Sequence, residues 1–187
     1  HAGQMLAGGL KAAVLLNTEP EFDSAAGAAA AKALGQAEMV VTLSPFKANM
    51  AFSDVLLPIA PFTETSGSFV NAEGRLQSFH AVVRPLGETR PAWKVLRVLA
   101  NLLDLQGFDF ETSQDVLSKA TGAPAGQAQS VPAELLDNRT TVVPQAAASG
   151  AADPVVASIY QLDGLVRRST SLQLTADARL AREGAAA

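Results

Sequence analysis

Few side chains in this sequence are of a type that performs covalent or redox chemistry, and their spacing limits what chemistry is left. There is no cysteine, and the only histidines are His1 and His80. That removes a thiol nucleophile, a disulfide framework, a cysteine-held iron–sulfur cluster and a histidine-rich metal site. Asn17-Thr-Glu-Pro20 remains as a ligand candidate. It follows a short apolar run, where the loop after a parallel strand meets ligands in open α/β sheets, and the next helix start could face a phosphate. Neither GxGxxG nor GxxxxGKS/T accompanies it, so the plainer reading is a loop that leads into a helix and holds nothing. Glu64, Glu73 and Arg75 could form an acid–base set only in a pocket that shifts their pKa values. The simpler expectation is a structural ion pair that fixes a hairpin. Ser66, His80 and Asp54 have the types of a hydrolytic triad, but nothing like GxSxG surrounds the serine. His80 is expected at the surface or a strand end. Arg167-Arg168 could meet an acidic partner surface, although a solvated pair is the commoner case.

The elements that must position these residues read as an α/β fold. Lys11-Ala-Ala-Val-Leu-Leu16 is nearly all apolar, the pattern of a parallel strand buried on both faces. Asp23 or Ser24 offers an N-cap to the alanine-rich stretch ending at Leu34, and Gly35 suits its stop. Glu38-Met-Val-Val-Thr-Leu43 is a second buried strand, so the three make a βαβ unit with an expected right-handed crossover. Ser53-Asp-Val-Leu-Leu-Pro58 reads as a short third strand that proline ends. Gly67–Val70 and Arg75–Phe79 flank Asn71-Ala-Glu-Gly74, which suits a type I turn with a left-handed glycine, and so a hairpin. Pro91 fits the first turn of a helix whose Trp93, Leu96, Ala100 and Leu103 recur at helical spacing, widened by Val95, Leu99 and Leu102. That pattern predicts a core helix.

Three regions follow. Residues 1–120 form the Rossmann-like parallel sheet, its hairpin and the following helix, as an α/β domain that is expected to be partial. Residues 121–154 turn rich in Ala, Gly, Pro, Ser and Gln, which buries too little to offset ordering, so a flexible linker is expected. Residues 155–187 recover an apolar pattern from Val155-Val-Ala-Ser-Ile-Tyr160 and read as a docking tail, on the domain or on a partner. The 187 residues carry a net charge of −4, with a pI near 5.1, which excludes a nucleic-acid grip through phosphates. Mean hydropathy is +0.17, much of it from alanine, so the Leu, Val and Phe clusters must supply the core. No run approaches the roughly 20 apolar residues of a membrane span. The longest, Val95 to Leu105, is broken by Arg97, Asn101 and Asp104. No signal peptide is visible. His1 in place of methionine suggests a piece of a longer chain.

A family resemblance enters on the central block. Ser53-Asp-Val-Leu-Leu-Pro58, Phe62-Thr-Glu-Thr-Ser-Gly67 and Asn71-Ala-Glu-Gly-Arg75 with Gln77 resemble the signature of the molybdopterin oxidoreductase superfamily. There a strand A-D-V-V-L-P precedes E-x-x-G-T-x-x-N-x-E-G-R-x-Q. Pro85-Leu-Gly-Glu-Thr-Arg-Pro-Ala-Trp93 resembles the family's P-x-G-E-A-K/R-P-x-W segment. The residues so matched are Asp54, Pro58, Glu64, Gly67, Asn71, Glu73, Gly74, Arg75, Gln77 and Trp93, and their expected role is structural. The resemblance covers residues 10–106.

Within the superfamily, molybdenum enzymes such as formate dehydrogenases use a G-x-N-P loop to help hold a guanine dinucleotide. Here Leu16 replaces the family glycine and Glu19 precedes the proline. Glu19-Pro-Glu-Phe-Asp23, with the tail Ile159-Tyr-Gln-Leu-Asp-Gly-Leu-Val-Arg-Arg168 and Leu172-Gln-Leu-Thr175, is similar instead to the NADH-quinone oxidoreductase branch. In that branch, respiratory complex I, one iron–sulfur subunit keeps the same fold without molybdenum. The resemblance implies a structural domain at the C-terminal end of that subunit, without catalytic, cofactor or metal residues. Asn17, Thr18, Glu19 and Pro20 are then the vestige of a cofactor loop. It implies iron–sulfur clusters elsewhere in the parent, which passes electrons from NADH to quinone. The implied partners are the N-terminal part of the same subunit and other peripheral-arm subunits. The implied location is cytoplasmic, peripheral to the inner membrane, without direct insertion. The alternatives are part of a molybdopterin guanine dinucleotide enzyme and a non-catalytic nucleotide-binding α/β module.

Overall fold

The computed structural model describes residues 2–124 and 158–185. After helix α1 (Ala2–Ala7), three strands form a parallel sheet in the order β1-β2-β3: β1 (Ala12–Leu16), β2 (Met39–Ser44) and β3 (Val55–Pro58). Helices α2 (Pro20–Asp23) and α3 (Ala28–Leu34) make the β1–β2 crossover. The expected single helix from Asp23 or Ser24 is therefore two short ones. Pro20 opens the first, where its missing N–H costs nothing, and Gly27 at φ 51° breaks the chain before α3. Asp23 ends α2 instead of capping a helix; its carboxylate accepts from Glu19 N at 2.6 Å and from Thr18 Oγ1 at 3.2 Å.

The core gathers on the central strand. Val40, Thr42 and Leu43 of β2 are buried, as are Ala30 and Leu34 of the crossover helix α3. Each fully buried Leu or Val contributes about 1.5–3 kcal/mol over exposure. Thr42 is not left unsatisfied, since its hydroxyl lies 2.7 Å from Ser53 Oγ. The edge strand β1 departs from expectation. Its burial alternates, leaving Val14 57% and Leu16 44% exposed, because only one face of this edge is covered among the described residues.

Asp54 ties β3 to β2: its carboxylate accepts from Val40 N at 2.7 Å, and its own N–H donates to Val40 O. Pro58 ends β3 in register with Ser44, and Ile59 and Ala60 continue the edge by pairing with Arg90. The hairpin forms as expected from β4 (Gly67–Val70) and β5 (Leu76–Phe79), antiparallel, with Gly74 at φ 75°. Asn71 Oδ1 accepts from both Glu73 N and Arg75 N, which closes the turn. Phe69 and Phe79 stack across the pair with centroids 5.2 Å apart.

Helix α4 (Ala92–Leu102) has Pro91 as its N-cap, and Ala100 is its buried residue. Leu102 and Leu103 are exposed, so the stripe is narrower than a core helix requires. Helix α5 (Ser113–Thr121) was not foreseen from periodicity, although Thr112-x-x-Asp115 is a full capping box and Gly122 a left-handed stop. Thr121 thus closes a helix and Ala123 is buried. Residues 125–154 of the expected linker and 155–157 of the expected tail lie outside the described residues. The tail folds as α6 (Ile159–Leu162), α7 (Gly164–Arg168), α8 (Thr170–Gln173) and α9 (Ala176–Ala185). No described helix is long and apolar enough to cross a membrane.

Candidate functional site

The carboxyl ends of β1, β2 and β3 open onto a crevice with a cavity of about 660 Å³. Asn17, Thr18, Glu19 and Asp23 line it from the first crossover, Ser44 and Phe46 from the end of β2, and Thr63 and Glu64 from the segment after β3. Leu162, Asp163, Gly164, Leu165 and Arg167 line it from the tail. Here the sheet positions the loop: Asn17 N donates to Leu43 O at 2.8 Å, and Asn49 Nδ2 donates to Thr18 O at 3.0 Å. Asn17 adopts φ 50°, a left-handed conformation that asparagine tolerates better than most residues.

Glu19 is the centre of the site. Arg167 Nη2 and Arg168 Nη1 donate to its Oε1 at 2.9 and 2.8 Å, and Arg168 Nη2 donates to Oε2 at 3.0 Å. Arg167 also faces Asp23 at 3.6 Å and donates to Gln161 O. The Arg167 side chain is only 7% exposed and that of Glu19 15%. Both guanidinia lie over aromatic rings: Arg167 over Phe22 at 4.5 Å and Arg168 over Phe46 at 4.1 Å. Burial pushes the Glu19 carboxyl up, but the hydrogen bonds from Arg168 and Arg167 outweigh it and hold the group below its ordinary value.

The tail is prepared for this contact. Asp163 accepts from Leu165 N at 2.8 Å and Val166 N at 3.0 Å, which starts α7 so that its last turn carries both arginines. Gly164 lies against Phe46, where a Cβ would sit 3.4 Å from the ring. Gln173 Nε2 donates to both Tyr160 O and Val166 O, joining α8 to the two helices before it. Arginine pairing and stacking make the docking. The renewed apolar pattern contributes less: Ala178 is buried and Tyr160 and Val166 are half-buried, but Ile159, Leu162, Leu165, Leu172, Leu174 and Leu180 are exposed. Arg167 is therefore shielded from solvent while Arg168 stays partly exposed, and the acidic surface they meet belongs to their own chain. In the sequence this contact shows only as two arginines and a glutamate 148 positions from the first of them.

The other candidates separate. Glu64 accepts from Leu86 N at 2.9 Å and so ties the two family-like segments together. No ion pair joins Glu64, Glu73 and Arg75 among the described residues: Asn71 holds the backbone N–H groups of the latter two, and the turn closes without their charges. Ser66 Oγ is paired with Ser113 Oγ at 2.7 Å and Asp54 with Val40 N, so no hydrogen bond joins a Ser66–His80–Asp54 triad. Among the described residues no cluster of three or more His, Asp or Glu side chains suits a metal. At Gly67 a Cβ would lie 2.8 Å from the tip of the Phe79 ring, so a larger residue there requires that ring to shift. Gln77 pairs in register with Phe69, and the Trp93 indole N–H is buried without a partner.

Comparisons with known proteins agree with the central block. The chain is 44% identical over 59 residues to a Staphylococcus aureus (strain bovine RF122 / ET3-1) protein provisionally named a formate dehydrogenase, covering 32% of this chain and 6% of that one. It is 39% identical over 69 residues to YjgC of Bacillus subtilis (strain 168), provisionally named an oxidoreductase, covering 37% of this chain and 7% of that one. The chain thus spans only a small part of the length of these relatives. The family model for molybdopterin oxidoreductases matches residues 2–102. With more than half of its length matched, the chain belongs to the molybdopterin oxidoreductase family.

Proposed function

We propose that this chain is a structural, non-catalytic C-terminal domain of the iron–sulfur subunit of NADH-quinone oxidoreductase that shares the molybdopterin oxidoreductase fold. That complex moves electrons from NADH through iron–sulfur clusters to quinone. The observation that supports this most is the Glu19 anchor. A guanine dinucleotide of molybdopterin brings a pyrophosphate, which calls for positive or hydrogen-bond-donating surroundings. The crevice offers donors in Asn17, Thr18, Ser44, Thr63 and Thr89, but among the described residues that line it four carboxylates, Glu19, Asp23, Glu64 and Asp163, face the one cation Arg167, which repels a pyrophosphate. That arginine is already engaged with Glu19 and Asp23. The residues present do not fit the pterin dinucleotide in this arrangement.

With no cysteine in this chain, cluster ligands would lie in other parts of the parent, whose N-terminal portion and peripheral-arm neighbours would be the partners. The domain would then sit on the cytoplasmic side, held at the inner membrane through the complex. A second reading, part of a formate dehydrogenase-type molybdenum enzyme, is favoured by the names of the relatives. A third, a nucleotide-binding α/β module, draws only on the cavity beside Asn17. An affinity tag on the full-length protein in its host separates them. Co-purification with an NADH-oxidising, quinone-reducing assembly is expected; co-purification with formate-oxidising activity instead would overturn the proposal.

A further inference from the structure

We propose that residues 158–185 are an electrostatically latched strap whose docking closes the crevice at the carboxyl ends of the sheet. The inference deepens the reading of that crevice given above but does not need the assignment to complex I. Three observations carry it. Three charge-assisted hydrogen bonds of 2.8–3.0 Å join Glu19 to Arg167 and Arg168 across the chain. The tail supplies five of the residues that line the cavity, Leu162 to Leu165 and Arg167, and so forms one wall. Six of the strap's large apolar residues, Ile159, Leu162, Leu165, Leu172, Leu174 and Leu180, stay at least 41% exposed, so apolar burial contributes less to holding it than the ion pairs do. A contact made of charge and stacking, with its apolar side chains outside, is reversible where a packed one is not. Arg167 Nε, buried and without a partner, shows the same incompleteness: the grip is made through the Nη atoms alone.

A thiol at the crevice floor reads the strap directly, because the chain has no cysteine of its own. Ser44→Cys places one at a buried cavity-lining position, and Ala72→Cys in the exposed hairpin turn serves as the control. Each is labelled with a thiol reagent in the full chain. In the Ser44→Cys chain with an otherwise intact latch, labelling is expected to be slow. Adding Arg167→Ala and Arg168→Ala should accelerate it at least tenfold while leaving the Ala72→Cys rate unchanged. Limited proteolysis of residues 158–185 should rise in parallel.

Two results would overturn the proposal. One is a strap that stays protease-resistant in the double alanine variant. The other is a released strap with an unchanged Ser44→Cys rate, which would mean that the crevice is closed by the domain itself. Acceleration at a buried thiol away from the crevice, Ala100→Cys, as well as at Ser44→Cys would signal general unfolding and would also count against a specific latch. Loss of the complex I assignment would leave all of these rates untouched, so the two ideas fail separately.

Discussion

A carboxylate at position 19, between a ligand-type loop and a proline, meets two guanidinia brought from the far end of the chain. The other decisive residues work by exclusion or by satisfying a backbone group. Gly67 is one: Gly67→Ala pushes a methyl into the Phe79 ring and should cost about 1–3 kcal/mol, read as a lowered unfolding midpoint in urea. Asp54 is another. Its carboxylate satisfies the N–H of buried Val40, so Asp54→Ala should destabilise by about 1–3 kcal/mol in the same measurement. An unchanged midpoint in either variant would contradict these assignments.

At the scale of elements, the strap is the part most sensitive to conditions. Glu19 titrates below its ordinary value of 4.5 when docked, and Asp163 is also lowered, by the backbone N–H groups of Val166 and Leu165. Groups lowered in the folded state contribute stability that is complete above their ordinary values and is lost as pH falls through the lowered ones. Strap docking should therefore hold at neutral pH and weaken on acidification below about pH 4.5. Hydrogen exchange of residues 158–185 at stepped pH checks this, and protection that rises on acidification would contradict it. Sequence periodicity made β2, β3 and the hairpin legible, because apolar runs and an Asn-to-Gly turn report local backbone preference. It misplaced the crossover helix, which Pro20 opens early as α2 and Gly27 separates from α3. It passed over α5, whose capping box is a local signal that was there to read. The strap's anchor was out of reach for a different reason: pairing between Glu19 and Arg167 leaves no periodic trace.

For the whole molecule, the family block from Ser53 to Trp93 was legible because Asp54, Glu64 and Asn71 each hold backbone N–H groups and Gly74 takes a left-handed turn. What the block does not encode is whether the crevice serves a cofactor. That turns on the Glu19 anchor and on a lining richer in carboxylates than in cations. The central claim is that this crevice holds the chain's own strap in place of a pterin dinucleotide. Metal analysis with pterin extraction on the full-length protein purified from its host tests it most directly. Iron without molybdenum, tungsten or pterin is the expected result; stoichiometric molybdenum with a guanine dinucleotide would contradict it.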